Sequence, residues 1–227
     1  MKRFYLLLLL VAVVAGVLMW KGSRGGSQDA AATPAGSTVV VTAADSAFKG
    51  YVLGAETAPV EVVEYADFQC PHCGEFANVQ FPTIKEQLIN TGRLRWRFRE
   101  FPLEIFPWSR LSALAAQCVG EQGKFWEMEE VLFQRQSDWG ASNRNPAGTF
   151  RDLARGIGVD LDKYNACMDG QRYAGRIEAG HQEGLARGVT GTPTFFVNGR
   201  ELDNRRFGNS DAFKSLVDSL TTGKGRH

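Results

Sequence analysis

An apolar, β-rich run from Val60 to Phe68 leads into Cys70-Pro71-His72-Cys73, and a helical apolar pattern begins inside that tetrapeptide. Two thiols three positions apart at a helix start can close a disulfide between themselves. The positive end of the helix favours the thiolate that exchange requires. The spacing alone is shared by zinc sites, iron–sulfur sites and redox pairs, so the rest of the chain has to choose among them.

The surrounding pattern is strand, helix, strand. Val60, Val62, Val63 and Tyr65, bounded by Pro59, read as a strand covered on both faces. Phe76, Val79, Ile84 and Leu88 predict a helix to about Asn90, bent at Pro82 and ended by Gly92. Arg93, Arg95, Arg97 and Arg99 alternate with Leu94, Trp96 and Phe98, which predicts a strand with a solvated arginine face. A parallel βαβ unit follows from the crossover rule.

From Pro107 to Gly188 the pattern is helical only. Leu111, Leu114, Ala115 and Cys118 form one apolar stripe, and Phe125, Met128, Leu132 and Phe133 another. Pro146 and Gly158 bracket a helix carrying Phe150, Leu153, Ala154 and Ile157. Leu161, Tyr164, Cys167 and Met168 follow Asp160, and a further helix covers Tyr173 to Arg187. Phe195 to Val197 is a strand running into an Asn198-Gly199 turn, and Phe213, Leu216, Val217 and Leu220 close the chain as a helix capped by Ser210 and Asp211. The order is βαβ, an inserted helical block, then ββα.

Three motifs in that order carry a family resemblance: Ala58-Pro59-Val60 into Glu64-Tyr65-Ala66-Asp67-Phe68-Gln69-Cys70-Pro71-His72-Cys73; Gln122 to Trp126; and Gly188 to Gly199, which includes Gly191-Thr192-Pro193-Thr194. Over about Tyr51 to Leu220 the chain resembles the DsbA-like thiol-disulfide oxidoreductases of the thioredoxin superfamily. The resemblance implies an α/β thioredoxin fold with an inserted α-helical subdomain at about 107–188, within a folded domain of 48–221 and before a tail of 222–227. It implies that Pro193 is a cis-proline opposite the cysteines and that the Thr192 backbone offers a strand edge to a substrate peptide. It also implies a buried Glu64 serving Cys73 with a raised pKa; the other reading of Glu64 is a strand-edge carboxylate facing water.

Within that frame each position has a chemistry. Cys70 is expected at the N-cap as the exposed attacking thiolate, with Cys73 shielded one turn in. Pro71 suits the first helical position because no N–H is wasted there. His72 can add positive charge or a hydrogen bond beside Cys70, whereas Asp67 reads as a turn or surface acid. A stabilised thiolate leaves well and attacks poorly, so the dithiol is favoured and the disulfide is passed on. The expected activity is an oxidase that donates the Cys70–Cys73 disulfide to exported proteins, with no cofactor beyond that disulfide. The resemblance adds a quinone-linked membrane partner for reoxidation. A reductase or isomerase and a non-catalytic peptide-binding chaperone are the alternatives. His181, Phe125 and Trp126 read as packing residues.

Four cysteines in an exported chain is an even count. Cys118 and Cys167, on the apolar faces of two helices, are therefore expected to form a structural disulfide, the alternative being two buried free thiols. No metal is expected, since these two are not a close-spaced ligand pair. Export is read from Met1-Lys2-Arg3 and the uncharged apolar run from Phe4 to Trp20. At about 25 Å as a helix, this run is expected to be a signal-anchor membrane helix over 1–24, or a cleaved signal peptide. Residues 25–47 read as a Gly/Ser/Ala/Thr-rich tether, too short and bland for a dimerisation domain. Localisation is thus expected to be extracytoplasmic. With 26 basic against 25 acidic residues and net charge +1, nucleic acid is not an expected partner.

Overall fold

The computed structural model describes residues 39–202 and 209–222. The expected anchor over 1–24 and most of the tether lie outside these residues. No helix among the described residues is long and apolar enough to cross a membrane.

A five-stranded sheet forms the centre, in the order β1-β3-β2-β4-β5. These strands are β1 (Tyr51–Leu53), β2 (Val60–Ala66), β3 (Leu94–Glu100), β4 (Thr194–Val197) and β5 (Arg200–Glu201). The β2 and β3 strands pair in parallel, as the crossover rule requires, and β4 pairs antiparallel to β2. Asn198 and Gly199, with φ of 47° and 84°, make the tight turn that joins β4 to β5. The short β1 strand, which the sequence pattern does not single out, pairs antiparallel with β3 and stacks Tyr51 on Phe125 at 3.7 Å.

The expected helices come in order, with two that were not expected: one at Ala43–Ala47, inside the stretch read as tether and begun by a Thr42–Asp45 capping box, and one at Gln136–Trp139. The helices are α1 (Ala43–Ala47), α2 (Pro71–Glu75), α3 (Phe81–Ile84), α4 (Ser109–Gly120), α5 (Phe125–Gln134), α6 (Gln136–Trp139), α7 (Ala147–Ile157), α8 (Leu161–Asp169), α9 (Ala174–Ala186) and α10 (Ser210–Thr222). The stretch from Pro71 to Ile89 is one helical rod with π-turns at Phe76–Gln80 and Lys85–Ile89. Pro82 has no N–H to donate, so the ladder is rearranged around it, Phe81 N–H reaching Phe76 O. The wider turns rotate Val79 out of the predicted apolar stripe, leaving it 69% exposed. At the last helix the cap is Asn209, whose side-chain oxygen accepts from Ala212 N–H at 2.8 Å, in place of the expected Ser210 and Asp211.

Strand parity builds the core. Val60 and Val62 face the same side as Leu94, Trp96, Phe195 and Val197, beneath the Phe76–Ile89 rod and α10. Val63 and Tyr65 face the other side, with Phe101, Val189 and Phe196. On β3, Arg95 and Arg97 share Glu61 as an ionic partner, consistent with a polar face. Arg99 departs from the expected solvated row. It is 1% exposed, with Glu183 of α9 accepting at 2.8 Å and Phe48 O at 2.8 Å. The helical block makes its own core around Phe125, Met128, Leu132, Phe150 and Tyr164, continuous with Cys73 and Phe98. His181 is half-buried and lies 4.7 Å from the Phe101 ring.

Within the helical block Cys118 of α4 and Cys167 of α8 form a disulfide, Cα atoms 5.7 Å apart and 49 positions apart in sequence. Both residues are fully buried. Asp160 caps α8 by accepting from the N–H groups of Asp162 and Lys163.

Candidate active site

The β2 strand delivers the chain to the site. With Val60 and Val62 turned toward the rod, period-two alternation turns Glu64 the same way, under the turn that follows. Glu64 is 3% exposed and accepts a hydrogen bond from Trp96 Nε1 at 2.9 Å. Burial pushes its carboxyl up to about 7, with the indole donor opposing. The water-facing alternative is therefore excluded.

Cys70 is the N-cap of α2, with φ −69° and ψ 121°, and Pro71 occupies the first helical position. Both cysteines are free thiols. Cys70 is less open than expected for an attacking residue, 4% exposed against 0% for Cys73. The cover comes partly from the opposite loop. The Thr192–Pro193 bond is cis, and Thr192 O accepts from Cys70 Sγ at 3.3 Å.

The two thiols differ sharply. Cys70 is pulled down to about 5, first by the hydrogen bond from Cys73, against a burial cost, and then by the Thr192 side chain and the N–H groups of Cys73 and His72. The Thr192 hydroxyl has no other hydrogen-bond partner among the described residues, so it is available to the thiolate. Cys73 is pushed well above the usual thiol range, chiefly by burial, then by its bond to Cys70 and the charges on Cys70 and Glu64. His72 contributes its backbone N–H, in place of the expected ring contact. Its imidazole is exposed, 3.8 Å from Glu75.

Asp67 opens a turn, as expected, its C=O accepting from Cys70 N–H at 3.1 Å, but it is not at the surface. It is 2% exposed, its carboxylate accepting from Ser109 Oγ at 2.6 and 2.7 Å and from the N–H groups of Gln69 and Leu103 at 2.8 Å each. Burial pushes it up to about 6 against those three donors. Two glutamines the sequence did not single out complete the support. Gln69 donates to Gly140 O and accepts from Trp108 N–H, both at 2.7 Å. Gln136, from the helical block, donates to Phe68 O at 2.7 Å and to Cys70 O at 2.9 Å. A Cβ at Gly74 would meet Gln136 Oε1 at 2.6 Å, so a side chain there would push the Gln136 amide from its place. The inserted helices therefore hold the turn that carries Cys70.

A raised carboxyl under the site has a stability consequence. Because the folded pKa of Glu64 lies above the unfolded value of 4.5, its ionisation opposes folding, and stability is lost as pH rises through about 7. In the oxidised protein Glu64→Gln is expected to be near neutral at pH 4.5. At pH 8.5 it should be more stable by up to about 3 kcal/mol. Urea unfolding at the two pH values checks this; an equal effect at both would contradict the burial argument.

Comparison with known proteins agrees with this geometry. The thioredoxin family model matches residues 46–219. A Na(+)/H(+) antiporter of Salinispora tropica is 39% identical over 67% of this chain, which spans only 22% of the antiporter's length. Disulfide bond formation protein D of Bacillus subtilis is 30% identical, over 76% of this chain and 78% of its own. The crystal structure of oxidised BdbD from Bacillus subtilis superposes with a TM-score of 0.65 at 30% identity, covering 74% of this chain and 91% of that one. With strand, paired cysteines, cis-proline and helical insertion in place, the chain belongs to the thioredoxin family, among its DsbA-like thiol-disulfide oxidoreductases.

Proposed function

We propose that the protein is an extracytoplasmic thiol oxidase that passes the Cys70–Cys73 disulfide to exported proteins through a mixed disulfide on Cys70. The observation that carries the direction is the asymmetry of the pair: Cys70 held as a thiolate at about 5, Cys73 held protonated. A thiolate this stable lowers the free energy of the reduced form, so the disulfide is readily given up. The Thr192 backbone beside Cys70 supplies the edge along which a substrate peptide lies, and Pro193 shapes it. The pair itself carries the electrons, with no further cofactor, and a quinone-linked membrane protein returns them to an acceptor. Conversion of a substrate dithiol to a disulfide takes two electrons onto the cysteine pair.

Equilibrium titration of the pair against glutathione tests the direction. A potential at or above about −180 mV, in the range of known oxidants and isomerases, is expected. A value near or below about −270 mV, where thioredoxin sits, would make the protein a reductase instead.

A further inference from the structure

Among the described residues the mechanism above leaves two buried carboxyls unused, Glu100, which accepts a hydrogen bond from Gln117 Nε2, and Glu129. Glu129 of α5 is 5% exposed, on the same helical face as Phe125, Leu132 and Phe133. Burying a carboxyl costs several kcal/mol in a place where an apolar side chain would pack without cost. Its surroundings indicate a use. Glu129 lines a cleft of about 130 Å³ between α5 and the rod behind Cys73. Ala77, one turn after Cys73, and Trp126 line the same cleft, as do Lys85 and the exposed Asn78 and Glu130. Its walls are mixed, with Asn78, Lys85, Glu129, Glu130 and Gln134 beside apolar side chains, and the space is large enough for water.

Glu64 does not itself line the cleft, but Phe81, which does, packs 5.1 Å from the Trp96 ring whose Nε1 donates to Glu64. Trp126 packs on the edge of Phe98 with ring centres 6.4 Å apart, and Phe98 is the β3 residue paired in register with Glu64. The charged groups that act on Glu129 are Glu64 from β2, Glu130 from its own helix and Lys85 from the rod. Burial first, then the Glu64 and Glu130 charges, hold Glu129 protonated well above the usual carboxylate range, with Lys85 opposing.

Cys73 is sealed from solvent, yet disulfide transfer requires it to take up a proton. A substrate thiolate attacks Cys70 Sγ, the Cys70–Cys73 bond breaks, and its electron pair passes to Cys73 Sγ, which is then protonated. The substrate's second thiol next displaces Cys70 as a thiolate and gives its own proton to solvent. We propose that Glu129 is a second proton-transfer group, relaying protons between the cleft and Glu64 and so to Cys73. The relay rests on the exchange activity proposed above. It gives the helical insertion a part in the chemistry as well as in positioning the turn.

The test is reduction of the oxidised protein by dithiothreitol, followed by tryptophan fluorescence from pH 5.5 to 8.5 in H2O and D2O, for the wild type, Glu129→Gln and Glu129→Asp. Glu129→Gln keeps the shape and stays neutral, as the protonated acid does. It is expected to slow reduction by about tenfold, below the usual contribution of a direct proton donor. Its pH dependence and solvent isotope effect should change while the equilibrium potential stays at the wild-type value, and Glu129→Asp should recover part of the rate. A purely structural role would move neither the isotope effect nor the pH profile. Wild-type rates, profile and isotope effect in Glu129→Gln would overturn the relay while leaving disulfide exchange intact. A wild-type protein whose disulfide dithiothreitol does not reduce would instead overturn the exchange reading itself.

Discussion

Cys70→Ala is expected to abolish oxidation of a reduced substrate protein, a fall of about 10⁴-fold or more, as for loss of a nucleophile from a unit that acts together. Cys73→Ser should give a different outcome: mixed disulfides with substrate accumulate on Cys70. The difference follows from the site. Cys70 is the thiol next to the Thr192 carbonyl and the better leaving group, so it forms the bond to substrate. Cys73 is fully buried and kept protonated, so its part is to close or resolve the bridge from inside. Non-reducing gels with mass spectrometry of the adducts distinguish the two variants. If Cys70→Ala retained full activity in substrate folding, the groove would be acting as a peptide-binding chaperone surface. If Cys70→Ser trapped substrate on Cys73, the assignment of roles would be reversed.

How much of this was legible in the sequence depended on the type of signal. Periodicity and apolar runs placed β2, β3, β4 and the helices of the insertion other than α6, because apolar stripes report directly on burial. The Asn198-Gly199 turn and the Asp160 cap were legible for a local reason: each is made by residues within a few positions of one another. Polar residues buried by distant partners were not. Arg99 looked like the fourth member of a solvated row until α9, 84 positions on, covered it with Glu183. Asp67 looked like a turn acid because its principal partner, Ser109, lies 42 positions away. Gln136, 66 positions from Cys70, carries no sequence signal that could link the two. Glu129 did carry one. It falls on the apolar face of Phe125, Leu132 and Phe133, where a carboxylate breaks the pattern, much as Glu64 breaks the pattern of β2. In both cases the exception to periodicity marked a buried acid, as expected where a site violates local rules for its chemistry.

The Cys118–Cys167 bridge is the other place where a large effect is expected. It closes 49 positions of chain within the helical block, and in the chain-entropy account such a loop stabilises by about 4 kcal/mol. The Cys118→Ala/Cys167→Ala double variant should lose that amount, together with a smaller cost for the space the two buried sulfur atoms leave. For a domain of this size the loss corresponds to a fall in Tm of roughly 10 °C. Calorimetry on the oxidised proteins checks it. The loss should be seated in the helical block, since the bridge ties α4 to α8 and leaves the sheet untouched. Because Gln136 and Ser109 reach the Cys70 turn from that same block, loosening it should also raise hydrogen exchange at Gln69 and Cys70. A double variant with wild-type Tm would mean that the unfolded chain gains little freedom from losing the bridge. The compactness of the block would then rest on its apolar core alone. Unchanged exchange at Gln69 and Cys70 would separate the insertion's stability from the geometry of the active-site turn.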